Sequence, residues 1–210
     1  MLNTLTTAAV TLAGTAATSL ALLPLPAATA SFPYSIIREE PEVKVAIREA
    51  APEQPKESRL ICKSCNTNEK IALAKLQDHG IKDRNAIATI MGNIRQESTF
   101  VPDVCEGGAR TGYHGCRTGG FGLIQWTSEN RFRGLGAHAR RIGGDPSTIQ
   151  TQLSYLLEEG DWKNIEERML KPGRTIDDYM RIAHKWIRWG HHGARTHFAY
   201  DYARRFTLEG

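Results

Sequence analysis

Apolar residues recur at three- and four-residue steps through most of the second two thirds of the chain. Ile87, Ile90, Met91 and Ile94 fall on one face of a predicted helix that Asp83 is placed to cap. Upstream, Asn66 or Thr67 is placed to cap a helix running to His79 and ending at Gly80. A helix is predicted over 129–142 and is broken by Gly143-Gly144-Asp145-Pro146. Ser147 is placed to cap the next, which carries Ile149, Leu153, Leu156 and Leu157. A short helix follows over 162–170. Thr175 and Asp178 have the spacing of a capping box and open a helix to about Trp189; the last helix covers 195–206. Residues 103–122 hold seven glycines and no apolar period, so a loop or short hairpin is expected there. The predicted fold is mostly α, with one glycine-rich insertion on a helical scaffold.

The first part of the chain reads differently. No charged side chain occurs from Met1 to Ile37, the stretch from Ala8 to Leu25 is small and apolar, and Ala28-Thr29-Ala30 has the form of a cleavage site. Residues 1–30 therefore read as an export signal. The absence of Lys or Arg before the apolar run keeps a tether or virion-anchoring segment as the alternative. Pro24 and Pro26 interrupt the run, so no membrane span is expected in the mature chain. Pro33, Pro41, Pro52 and Pro55 sit among charged residues and alanine, which makes 31–60 a proline-rich linker and 61–210 the folded domain.

With 40% apolar and 24% charged residues, the chain can bury a core. Its net charge of +4 suits a polyanionic partner without choosing one. No basic stripe interleaved with aromatics is present, so nucleic acid is not expected as a partner.

Glu97 carries the most specific chemistry. At 3.6 residues per turn it lies roughly 70° from the centre of the apolar face, near the C-terminal end of its helix. Burial and the terminal helix carbonyls both disfavour a carboxylate there and raise its pKa, which a general acid needs near neutral pH. By geometry alone, an ordinary boundary glutamate, solvated or paired with Arg95 or Arg131, fits better.

The surrounding residues separate these readings. Asn93-Ile94-Arg95-Gln96-Glu97-Ser98-Thr99-Phe100-Val101-Pro102 is followed by Gly119-Gly120-Phe121-Gly122-Leu123-Ile124-Gln125-Trp126-Thr127, and then by Arg131. The paired segments resemble the phage tail-lysozyme family, within the lysozyme and goose-type muramidase superfamily. Asp145-Pro146, Gln152-Leu153 and Leu156 are similar to that family's next helix, and the resemblance spans roughly 71–205. It implies a lysozyme-like helical domain whose glycine-rich loop lines a glycan groove. It also implies bacterial peptidoglycan as substrate, no cofactor and no metal, and other phage tail or virion proteins as partners. The implied location is tail-associated or exported to the periplasmic or extracellular side. Glu97 matches the catalytic acid. Ser98, Gly122, Gln125 and Trp126 are the implied substrate-binding residues, with Trp126 either a stacking surface for a sugar or plain core. Asp103 and Glu106 are candidates for the second carboxylate of a hydrolase; a lytic transglycosylase needs none. Near the C-terminus, Trp186-Ile187-Arg188-Trp189-Gly190-His191-His192-Gly193 departs from the family's pattern. His191, His192 and His197 read as solvated imidazoles at a turn, and the departure bears on that local turn and not on the groove.

The four cysteines, Cys62, Cys65, Cys105 and Cys116, are candidates for disulfides: a Cys105–Cys116 bond would stiffen the glycine-rich loop, Cys62 with Cys65 would form a local bond, and cross-pairing such as Cys62 with Cys105 stays open. A zinc site and free thiols are the alternatives. Two rivals to the enzyme reading remain: a wall-binding or virion structural module with a dead site, and a redox or zinc protein built on the cysteines.

Overall fold

A computed structural model describes residues 58–117 and 119–209. The candidate signal at 1–30 and most of the linker lie outside the described residues.

The elements run β1 (Leu60–Ile61), α1 (Thr67–Asp78), α2 (Arg84–Ser98), α3 (Gly112–Gly115), α4 (Glu129–Ile142), α5 (Ile149–Leu156), α6 (Gly160–Lys163), α7 (Glu166–Leu170), α8 (Ile176–Ile187), α9 (Arg195–Arg205) and β2 (Thr207–Leu208). The domain is mostly helical, as the periodicity predicts. Three helix starts follow the local code. Asn66 and Glu69 form a reciprocal capping box, Asp83 accepts from the amides of Asn85 and Ala86, and Thr175 with Asp178 forms a second box.

Ser147 does not cap α5. Thr148 occupies the cap position without a side-chain bond, and Ser147 Oγ instead accepts from the Tyr113 amide at 2.9 Å. A distant donor in the glycine-rich loop has claimed the hydroxyl. The helix expected over 162–170 is two short pieces, α6 and α7. The two ends of the described chain are joined by antiparallel pairing of β1 with β2, Leu60 opposite Leu208. Residues this short carry no pattern that announces a strand.

Helix α2 is the axis of the domain. Its apolar stripe is buried, but so is the opposite face: every residue from Ala86 to Ile94 is inaccessible. It packs most extensively on α9, and also on α8 and α1. Close approach to α9 depends on Gly92. A Cβ there would sit 2.7 Å from the Ala199 nitrogen and 2.8 Å from the Arg195 carbonyl oxygen. Helix α2 ends in two left-handed residues, Thr99 (φ 51°) and Phe100 (φ 63°), each costing about 1–2 kcal/mol. Burial of the Phe100 ring offsets part of that cost.

The glycine-rich insertion is a closed loop rather than a regular hairpin. Isolated bridges join Val104 to Arg110 and Cys105 to Phe121, and α3 lies between them. Both expected disulfides are present, Cys62–Cys65 and Cys105–Cys116. Among the described residues there is no free cysteine, no group of three or more metal-ligating side chains, and no helix long and apolar enough to cross a membrane.

Candidate active site

Glu97 stands in the last turn of α2, where the helix leaves the core, and its side chain keeps 16% of its accessible surface. Its partner is neither Arg95 nor Arg131 but Arg195, the first residue of α9. Arg95 reaches Asp201 instead, at 3.0 Å. Burial pushes the Glu97 carboxyl above its ordinary value, and the guanidiniums of Arg195 and then Arg131 oppose that rise. The net direction is upward, the direction a general acid requires.

Arg195 is 4% exposed and rigidly held. One terminal nitrogen donates to the backbone carbonyls of His191 (2.8 Å) and His192 (2.7 Å), the other to Glu97, and the guanidinium lies 4.8 Å from the centre of the Trp189 ring. Gln96, beside the acid, accepts from the Ala194 amide at 2.7 Å and ties α2 to the same turn. The turn at 190–193 therefore bears directly on the surroundings of Glu97. Its histidines are exposed, yet their carbonyls position the cation that faces Glu97. His192 is more than a solvated imidazole, since its Nε2 lies 2.9 Å from Thr196 Oγ1.

The segment after Glu97 is locked to the Gly–Gln–Trp segment. Ser98 Oγ donates to the Leu123 carbonyl at 2.9 Å, and Ser98 is buried, which makes it a strut between the two motifs. Gln152, fully buried, accepts from the Leu123 amide (2.8 Å) and donates to the carbonyls of Pro102 (2.6 Å) and Pro146 (2.7 Å). Gly122 is required by this bracket: at φ 73° a Cβ would collide with the Gln152 amide. The Gly122 amide itself donates to Val104, so it is not offered to a sugar. Gln125 adopts φ 50° and folds its Nε2 back on the Gly122 carbonyl at 2.9 Å; it remains partly exposed.

Trp126 is fully buried and belongs to the core, so it has no face to present to a sugar. Its indole Nε1 donates to Glu159 Oε2 at 3.1 Å. Glu159, which no motif singled out, also accepts from Trp186 Nε1 at 2.8 Å and from Arg131 through two 2.8 Å bonds. Four donors thus converge on one buried carboxylate. The arrangement fixes the motif's tryptophan and arginine together.

The candidate second carboxylates are both engaged. Asp103 pairs with Arg110 at 2.6 Å, and the exposed Glu106 accepts from the Gly120 amide at 3.1 Å. The charges acting most strongly on Glu97 are guanidiniums, not either of these acids.

The family model for phage tail lysozyme matches residues 67–205, from the first residue of α1 to the last of α9. The chain belongs to the phage tail lysozyme family. Membership of this lysozyme family assigns the domain to action on peptidoglycan. The match takes in Glu97, the Gly122–Trp126 segment and Arg195 together. A search of curated proteins finds no match to the chain.

Proposed function

We propose that this tail-lysozyme domain is a muramidase that cleaves the bond between N-acetylmuramic acid and N-acetylglucosamine, with Glu97 as general acid. The observation that carries the reading is a carboxyl at the mouth of the core, raised by burial and held against Arg195. Protonated Glu97 donates to the bridging glycosidic oxygen. The C1–O bond breaks with its electron pair going to that oxygen, and a water attacks C1. The carboxylate left on Glu97 is then the preferred partner of Arg195 and can take the proton of the attacking water. Gln125, still partly exposed, is the member of the Gly122–Trp126 segment best placed to meet the glycan.

A second reading shares the same acid. A retaining hydrolase needs a second carboxylate about 5–5.5 Å from the first, and an inverting one about 6.5–9.5 Å. The ties of Asp103 to Arg110 and of Glu106 to Gly120 favour attack by the substrate's own 6-hydroxyl, the lytic transglycosylase outcome. Mass analysis of the muropeptides released by the full chain separates the two. Reducing ends support hydrolysis, anhydro-muramic ends support transglycosylation, and no release with retained pelleting on cell walls supports a binding module. We assign the protein to a phage tail or to the exported side of the producing cell, where residues 1–30 would serve as signal or anchor.

A further inference from the structure

Of the four tryptophans, Trp126, Trp162 and Trp186 are fully buried, whereas Trp189 is partly exposed. It forms part of the wall of a cavity of about 390 Å³ between α8 and the start of α9, within the range of about 300–1,000 Å³ that small ligands occupy. The imidazoles of His184 and His192 stand edge-on to the indole, with centroids 4.7 and 5.6 Å away. Asp177, Arg181 and Thr196 add polar groups to the lining. An aromatic wall beside planar carboxylate and guanidinium groups suits a pyranose ring. The sugar's C–H face packs on the aromatic, while bidentate polar groups meet neighbouring hydroxyls.

The layer behind the cavity's wall is polar as well. Of the four buried side-chain atoms without a hydrogen-bond partner among the described residues, two are Arg195 Nε and Asn93 Oδ1. Both belong to residues that touch the cavity's walls: Arg195 lies over Trp189, and Asn93 Nδ2 reaches the Met180 sulfur at 3.4 Å. An unmet donor and an unmet acceptor thus lie one side chain behind the cavity's wall, where unpaired buried polar groups are costly.

We propose that this α8–α9 cavity is a saccharide subsite for an N-acetylated amino sugar of the glycan strand. It rests on the muramidase reading and sits one side chain from the acid, because Trp189 contacts Arg195 and Arg195 contacts Glu97. The chain's sole partly exposed tryptophan is then the sugar-stacking residue that Trp126 cannot be.

The test uses the full chain carrying Glu97→Gln and soluble N-acetylglucosamine tetramer as probe. Iodide quenching of tryptophan emission reads Trp189, since the other three indoles are buried. Saturating tetramer is expected to remove most of the iodide-accessible emission. In calorimetric titration, Trp189→Ala is expected to bind on the order of tenfold more weakly, and Trp189→Phe less so. Unchanged iodide access at saturation, no measurable binding, or equal affinity in folded Trp189→Ala each overturns the subsite. The quenching arm needs no substitution at Trp189, so a misfolded variant does not rescue the proposal. Muropeptide release by the unmutated chain is followed in parallel. Turnover without protection of Trp189 sinks the subsite alone, and protection without turnover sinks the muramidase reading alone.

Discussion

Replacing Glu159 by glutamine removes one charge and leaves the shape almost unchanged, so its cost can be worked from the hydrogen bonds. Each carboxylate oxygen accepts one indole and one guanidinium N–H: Oε1 from Trp186 and Arg131 Nη2, Oε2 from Trp126 and Arg131 Nε. In the amide, one oxygen becomes an NH₂. Whichever way it flips, it faces one indole and one guanidinium donor and satisfies neither. Each stranded buried donor costs about 1–3 kcal/mol, and breaking a buried ion pair from one side costs about 3–5 kcal/mol. These overlap, so a total near 4 kcal/mol is expected on the order of those ranges. At about 2–4 °C per kcal/mol for a domain of this size, Tm falls by on the order of 10 °C. Thermal unfolding of the full chain followed by circular dichroism reads this directly. A Tm within about 2 °C of the unmutated protein would refute the four-donor account. A functional consequence accompanies the loss. Arg131 keeps only Asp161, at 3.6 Å, as counter-charge. Its field on Glu97 is then less compensated, so the alkaline limb of the activity profile moves to lower pH.

The remaining predictions concern the contacts around Glu97 and the loop opposite. Arg195→Met removes the cation that opposes the burial-driven rise at Glu97; the acid then stays protonated to higher pH, and the alkaline limb of kcat/KM moves up, while Arg195→Lys keeps it in place. A drop in rate with no movement of that limb would leave Arg195 a structural residue only. Gly92→Ala forces α9 away from α2; despite a gain of about 1 kcal/mol in helix propensity, overpacking of about 1–3 kcal/mol should lower the urea midpoint and weaken the Glu97–Arg195 contact. Cys105→Ser with Cys116→Ser opens a link of sequence separation 11 and should cost about 3 kcal/mol by loop entropy, read as a Tm below that of the oxidised unmutated protein.

What could be read from the residues divides along the range of the interactions. The capping boxes at Asn66 and Thr175 and the cap at Asp83 are satisfied within three residues, and those helices start as predicted. Ser147 offered the same local signal and lost it to the Tyr113 amide, 34 positions away. The apolar stripe on α2 located the helix but not its all-round burial, because its other face is closed by small and polar residues such as Gly92 and Asn93 against α9 and α8. At the site, Glu97 and the Gly–Gln–Trp segment were visible as motifs. Arg195 and Glu159 were not, since each acquires its role only when α9 and the α5–α6 junction are brought to residues 98 and 28 positions distant. The motif that joins Trp126 to Glu97 could not say that the indole faces inward. The turn at 190–193 departs in sequence from the family's pattern while its backbone carbonyls do the positioning, and backbone chemistry leaves little trace in side-chain identity.

The central claim is that Glu97 delivers the proton that breaks the glycan strand. Glu97→Gln preserves the volume beside Arg195 and removes the acid. Release of muropeptides from purified peptidoglycan by the full chain, compared at matched folding by circular dichroism, tests it most directly. The account predicts a loss of about 10²–10⁴-fold with an unchanged far-ultraviolet spectrum. A folded Glu97→Gln protein that releases muropeptides at the rate of the unmutated chain would contradict it.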